Sequence, residues 1–126
     1  METSAQTMLT TLYRPVGETE LRLIRERGFL GFPPRLPAQP IFYSMLNEEY
    51  AGLIARDWNA KYNPERSGYV TRFRARTAFL SRFEWHIVGA ASYPELWVPC
   101  EELALFNENI VGMIQVVAEF HTGKHA

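Results

Sequence analysis

Between Tyr69 and Ala75 the chain alternates with a period of two, setting Tyr69, Thr71 and Phe73 against Val70, Arg72 and Arg74. That pattern predicts a half-buried strand. Upstream the period changes. Tyr50, Ala51, Ile54, Ala55 and Trp58 recur at helical spacing, with Glu48, Glu49, Arg56 and Asp57 outside the stripe. Asn47 stands where an N-cap side chain accepts a backbone N–H. A second helix is expected over Glu18 to Arg27: Glu18 and Glu20 suit its first turn, Arg25 and Arg27 its last, and Gly28 its C-terminal cap.

Shorter apolar runs predict the remaining strands. They are Thr10 to Arg14, ended by Pro15 and Gly17, then Ile41 to Leu46, Glu84 to Val88, Glu95 to Val98 and Met113 to Phe120. Gly89-Ala90-Ala91-Ser92 is a small-residue turn, Ala78 to Phe83 a short helical turn, and Pro99 to about Asn107 a short helix with Pro99 at its opening. Phe32 to Gln39 and Pro40 together hold four prolines, so this stretch is a stiff surface loop of the kind that often frames a site. The order predicts an α+β fold, a compact single domain of about six mostly antiparallel strands with three helices. Residues 1–9 and 121–126 are expected to be tails around a single domain over residues 10–120.

With 126 residues, 47 % hydrophobic and 13 % aromatic, the composition is that of one globular domain. A net charge of -1 supplies no bulk attraction to nucleic acid or an anionic membrane, so neither is an expected partner. The single Cys100 precludes an internal disulfide. Met1 to Met8 is polar rather than signal-like, and the cytoplasm is the expected location. Of 13 basic residues 11 are arginine, the better fork for phosphate and carboxylate, although codon bias gives the same count.

The chain carries no glycine-rich nucleotide fingerprint, no P-loop, no H-E-x-x-H and no G-x-S-x-G. Two of its three histidines, His121 and His125, lie in the predicted C-terminal tail, so no metal site is expected. His86 is expected to be a structural strand histidine, and Cys100 a structural thiol without a nearby base. Polar residues placed among apolar strand positions remain: Arg14, Tyr43, Ser44 and Glu95. Alternation puts Trp97 beside Glu95. A carboxylate next to an aromatic binds a sugar hydroxyl or steadies a cationic transition state, but a solvated strand-end Glu has the same sequence. Arg14 is either an anion clamp or a surface ion pair.

The segments Leu12-Tyr13-Arg14-Pro15-Val16-Gly17, Phe32-Pro33-Pro34-Arg35, Gln39-Pro40-Ile41-Phe42-Tyr43, Leu46-Asn47-Glu48-Glu49-Tyr50-Ala51 and Gly68-Tyr69-Val70-Thr71-Arg72-Phe73 resemble a family of small bacterial proteins labelled "ADP-ribosylation/crystallin". The resemblance runs from about Leu12 to Phe120. The acidic metal-binding motifs of ADP-ribosylglycohydrolases are missing. The order of elements is instead similar to the compact ADP-ribosyltransferase-like fold.

That resemblance implies an NAD-dependent ADP-ribosyltransferase, with NAD as substrate and no metal. Arg14 would bind the NAD phosphate or ribose, and Tyr43 and Ser44 would line the nicotinamide pocket. Glu95 would be the catalytic carboxylate, stabilising an oxocarbenium-like transition state. This requires Arg14, Ser44 and Glu95 to face one cleft. The chain departs from the family where Tyr93 replaces the first acid of an E-x-E pair and where Phe42-Tyr43-Ser44 replaces S-T-S. The alternative is a non-catalytic binding or protein-interaction module on the same fold, an immunity or regulatory partner using Phe29, Phe32, Tyr62, Tyr69, Trp85 and Trp97 as an interface. A third reading takes Arg72, Arg74, Arg76 and Arg82 as a basic stripe for nucleic acid. Oligomeric state has no signature in the sequence.

Overall fold

Every strand of the sheet lies antiparallel to its neighbours, in the spatial order Trp85–Ile87, Pro94–Pro99, Ile41–Met45, Leu9–Gly17, Ser67–Arg76, Gln115–His121. The computed structural model describes residues 8–36, 38–87 and 93–122. Its strands are β1 (Leu9–Gly17), β2 (Ile41–Met45), β3 (Ser67–Arg76), β4 (Trp85–Ile87), β5 (Pro94–Pro99) and β6 (Gln115–His121). Four helices complete an α+β domain: α1 (Glu18–Glu26), α2 (Glu48–Ile54, prolonged by a π-turn over Ala55–Asn59 and by Ala60–Tyr62), α3 (Thr77–Leu80) and α4 (Leu103–Glu108). A 3-10 turn, Cys100–Glu102, leads into α4. No described helix is long and apolar enough to cross a membrane.

The sheet separates two cores. Leu12, Val16, Phe42, Phe73, Leu96 and Val98 point to one face, where Leu21 and Ile24 of α1 and Leu103 and Phe106 of α4 cover them. Met45 and Val70 point to the other, under Tyr50, Ala51 and Ala55 of α2. Phe32 is fully buried in the first core and packs at 4.8 Å against Phe42 and 4.9 Å against Phe73. Its backbone is clamped to α4: Phe32 N–H donates to Asn107 Oδ1, and Asn107 Nδ2 donates to the Phe32 carbonyl, each at 2.9 Å. The proline-rich loop is thereby fixed at its start.

Three local expectations change. Pro15 does not end β1, because that strand pairs with β3 without interruption from Leu9↔Arg76 to Gly17↔Gly68. The consequence falls on the other side, where β1 meets β2 at the single pair Tyr13↔Met45. Continuing that register would set Pro15 opposite Tyr43, and Pro15 has no N–H to offer a neighbour. Trp58, expected on the buried stripe of α2, is 63 % exposed. The π-turn widens the helix there and rotates the following residues away from the sheet. Gly68 makes the close approach possible, since a Cβ at that position would collide with the Ala55 backbone carbonyl.

Strand β3 is therefore buried on both faces from Ser67 to Thr71, and alternates only from Arg72 onward. Pro99 closes β5 and also caps the 3-10 turn that opens the expected helix. The turn expected at 89–92 lies outside the described residues. Asn47 caps α2 as expected, its Oδ1 accepting from Tyr50 N–H at 2.8 Å.

Candidate functional site

Where β1 and β2 part, the side chain of Arg14 enters the opening. The residue is 3 % exposed. Its Nε and Nη2 donate to the two carboxylate oxygens of Glu20 at 2.8 and 2.9 Å, and its Nη1 donates to the Tyr43 carbonyl at 2.8 Å. The guanidinium carbon stands 4.4 Å from the Phe42 ring centre and 5.0 Å from that of Tyr43. Those rings belong to opposite faces of the sheet, so the cation sits in the gap itself. Burial pulls the Arg14 pKa down, but the charge and hydrogen bonds of Glu20 reverse this, and the net direction is upward.

A second guanidinium lies close by. Arg35, from the proline-rich loop, reaches Glu20 Oε1 at 3.7 Å and donates to the Ile41 carbonyl at 3.3 Å. Its Nε is buried without a partner. Burial, then repulsion from Arg14, pulls its pKa down, against the weaker attraction of Glu20. Two cations thus share one carboxylate, and Arg35 has the smaller share.

These groups line a cleft of about 520 Å³ at this end of the sheet. Tyr43, exposed Trp58 and Asn59 supply the wall on the α2 side, and Asn59 Oδ1 is buried without a partner. Trp58 is also braced by Tyr62, with ring centres 4.8 Å apart. The cleft therefore offers cationic donors, an unpaired amide oxygen and a flat indole, in the size range of small-molecule sites.

Glu95 occupies different surroundings. It is 8 % exposed, and its carboxylate accepts from Tyr50 Oη at 2.6 Å and from Trp97 Nε1 at 3.1 Å. No cation lies within ion-pair distance of it among the described residues. Tyr50 is held protonated well above the ordinary phenol range, first by burial, then by its bond to Glu95 and by that residue's charge. His86 stacks on Trp97 with ring centres 4.1 Å apart, so the indole is fixed from both sides.

The four sequence candidates do not share one cleft. Arg14 leaves β1 on the face of Leu12 and Val16, whereas Glu95 leaves β5 on the face opposite to Leu96 and Val98. Ser44 lies fully buried on the Phe42 face, with its Oγ unpartnered. Tyr43 alone joins the two regions, since it lines the cleft and packs with the Met45 and Tyr50 core. Of the aromatic residues proposed as an interface, Phe32 and Tyr69 are core residues, whereas Tyr62 and Trp85 are exposed.

Sequence reasoning passed over Glu20, Arg35 and Tyr50. Glu20 looked like an ordinary helix-start acid, and Tyr50 like a core position. Arg35 did carry a signal, as the one charge inside a rigid proline-rich loop. Among the described residues, no group of three or more His, Cys, Asp or Glu side chains gathers to hold a metal ion. Neither the known family models nor the curated protein sequences provide a match to this chain.

Proposed function

We propose that the chain is a binding module for an anionic, nucleotide-like small molecule of the NAD or ADP-ribose class, taken up in the cleft between β1 and β2. The observation that carries this reading is Arg35. A half-buried guanidinium with an unpartnered Nε, sharing its one carboxylate among the described residues with a better-placed arginine, is a cation waiting for an anion. A diphosphate supplies that charge, and the indole of Trp58 gives a base or nicotinamide ring a surface to stack on. Arg14 contributes mainly by holding the opening apart, because three of its five N–H groups are already used.

Calorimetric titration of the purified protein with ADP-ribose, NAD and uncharged nicotinamide tests this. The two phosphate-bearing ligands bind and nicotinamide alone does not. Arg35→Gln weakens the former about 10- to 100-fold, the worth of one charge-assisted hydrogen bond. Equal binding of all three, or indifference to Arg35→Gln, refutes the reading.

A second reading, an NAD-dependent ADP-ribosyltransferase-like enzyme, loses the shared cleft of Arg14, Ser44 and Glu95 that the resemblance requires, and rests on Glu95 alone. A buried carboxylate held by neutral donors, without a counter-cation among the described residues, is costly to keep, and such groups cluster at functional sites. In that chemistry the glycosidic bond of NAD breaks with its electron pair leaving on nicotinamide. The ribose carbon then bonds to an acceptor that gives up a proton. Nicotinamide release that Glu95→Gln abolishes supports this reading. Binding without release leaves the module.

A further inference from the structure

On the α2 side of the sheet, cover stops at Val70. Beyond it the β3 side chains on that face are Arg72, half-buried, and Arg74 and Arg76, both exposed. With Thr11 and Tyr13 of β1, Gln115 of β6 and the 60 % exposed Met113, Arg72 and Arg74 frame a hollow of about 650 Å³. Among the described residues no carboxylate lines it, and the Arg72 guanidinium is bound only to the neutral Gln115 Oε1, at 2.8 Å from Nη2. Arg82, the fourth member of the basic stripe expected from the sequence, is engaged with Glu102 and does not belong to this face.

We infer that this hollow binds single-stranded nucleic acid, with Arg72, Arg74 and Arg76 on the phosphates and Tyr13 under an unpaired base. The net charge of the chain argues only about its far field; locally the hollow is lined by two arginines and no acid, and Arg76, whose Nη1 donates to the Glu108 carbonyl at 3.1 Å, continues their row beyond it. Successive arginines on one strand face stand about 7 Å apart, so their charge follows an extended backbone. An acidic peptide fits less well. Peptides gain affinity on sheets by pairing with an open edge, whereas β3, which carries the arginines, is closed by β1 on one side and by β6 on the other. A planar base needs only side chains, and the Tyr13 ring and the guanidinium planes supply them. The inference is independent of the cleft, which opens at the other end of β1.

Fluorescence anisotropy with labelled ten-nucleotide DNA and RNA single strands is the test. Binding is expected at 50 mM salt and falls roughly 20-fold by 200 mM, the effect of three phosphates neutralised on a single strand. Arg74→Gln, at an exposed position, lowers the salt slope by about 0.7, and Tyr13→Leu weakens binding about 5- to 150-fold without changing the slope. Arg35→Gln leaves it intact. The inference is overturned by absence of binding at 50 mM salt, by a poly-glutamate peptide competing as well as the oligonucleotide, or by loss in Arg35→Gln, which would put the strand in the cleft.

Discussion

Replacing Glu20 by glutamine should lower stability and raise anion affinity together, and those opposite signs make it the most informative single change. The substitution keeps the shape of the side chain and removes one negative charge from beneath two guanidiniums. Arg14 retains its bond to the Tyr43 carbonyl and its place over the Phe42 ring, but loses a charge-assisted pair at 2.8 and 2.9 Å. Breaking a fully buried pair costs about 3–5 kcal/mol. Glu20 is 19 % exposed and a glutamine oxygen still accepts one N–H, so about 2–3 kcal/mol is the reasonable expectation. That corresponds to a urea midpoint lowered by about 1–2 M.

The affinity moves the other way. With the carboxylate gone, Arg14 and Arg35 lose their shared counter-ion, Glu65 is the acid left in the cleft lining, and a phosphate-bearing ligand binds about 10-fold more tightly. Saturating ADP-ribose then recovers part of the lost stability through linkage. Adding Arg14→Met to Glu20→Gln removes the stranded cation, and the double variant is more stable than Glu20→Gln alone. Chemical denaturation and calorimetry on the same preparations read both quantities. A stability loss below about 0.5 kcal/mol, or an affinity that falls in parallel with stability, refutes the assignment of Glu20 as the shared counter-ion.

Tyr50→Phe removes a buried donor to Glu95 and should cost about 1.5–3 kcal/mol by urea denaturation. The folded phenol deprotonates later than the unfolded one, so its contribution is complete below about pH 10 and is lost as pH rises further; in an alkaline tyrosinate titration, Tyr50→Phe leaves the folded-state absorbance change up to pH 11 unaltered. Gly68→Ala forces the π-turn of α2 off the sheet, with an expected loss of about 2–4 kcal/mol and weaker protection of β3 amides in hydrogen exchange. Asn107→Ala strands the N–H and carbonyl of Phe32, lowers stability by about 2–3 kcal/mol and loosens the loop carrying Arg35, so ligand affinity falls with it.

Elements whose cause is local were legible in the chain. Asn47 announces α2 because an N-cap is decided within three residues, and the acidic start of α1 follows the same short-range rule. Features set by distant partners were not. Trp58 obeys helical spacing, yet the π-turn that exposes it answers to Gly68, on another element. Arg14 was visible as an unusual strand cation, but its role depends on Glu20, which sits in a helix start where acids are commonplace. Glu95 and Trp97 are neighbours by alternation alone, whereas Tyr50, the second donor, comes from a helix that the strand pattern says nothing about.

Pro15 ties these observations into one chain of causes. Read locally, a proline ends a strand. Here β1 satisfies its β3 side in full and leaves its β2 side unpaired past Tyr13, so the missing N–H is spent where the sheet opens. The opening uncovers the Tyr43 carbonyl, which a buried polar group cannot leave unpaired, and Arg14 Nη1 supplies the bond. A cation taken into that gap needs a carboxylate, and Glu20, in the first turn of α1, meets it with both oxygens. Glu20 in turn attracts Arg35 from the stiff loop without neutralising it. The cleft and the Arg14–Glu20–Arg35 cluster that lines it thus descend from a single imino acid in the middle of a strand.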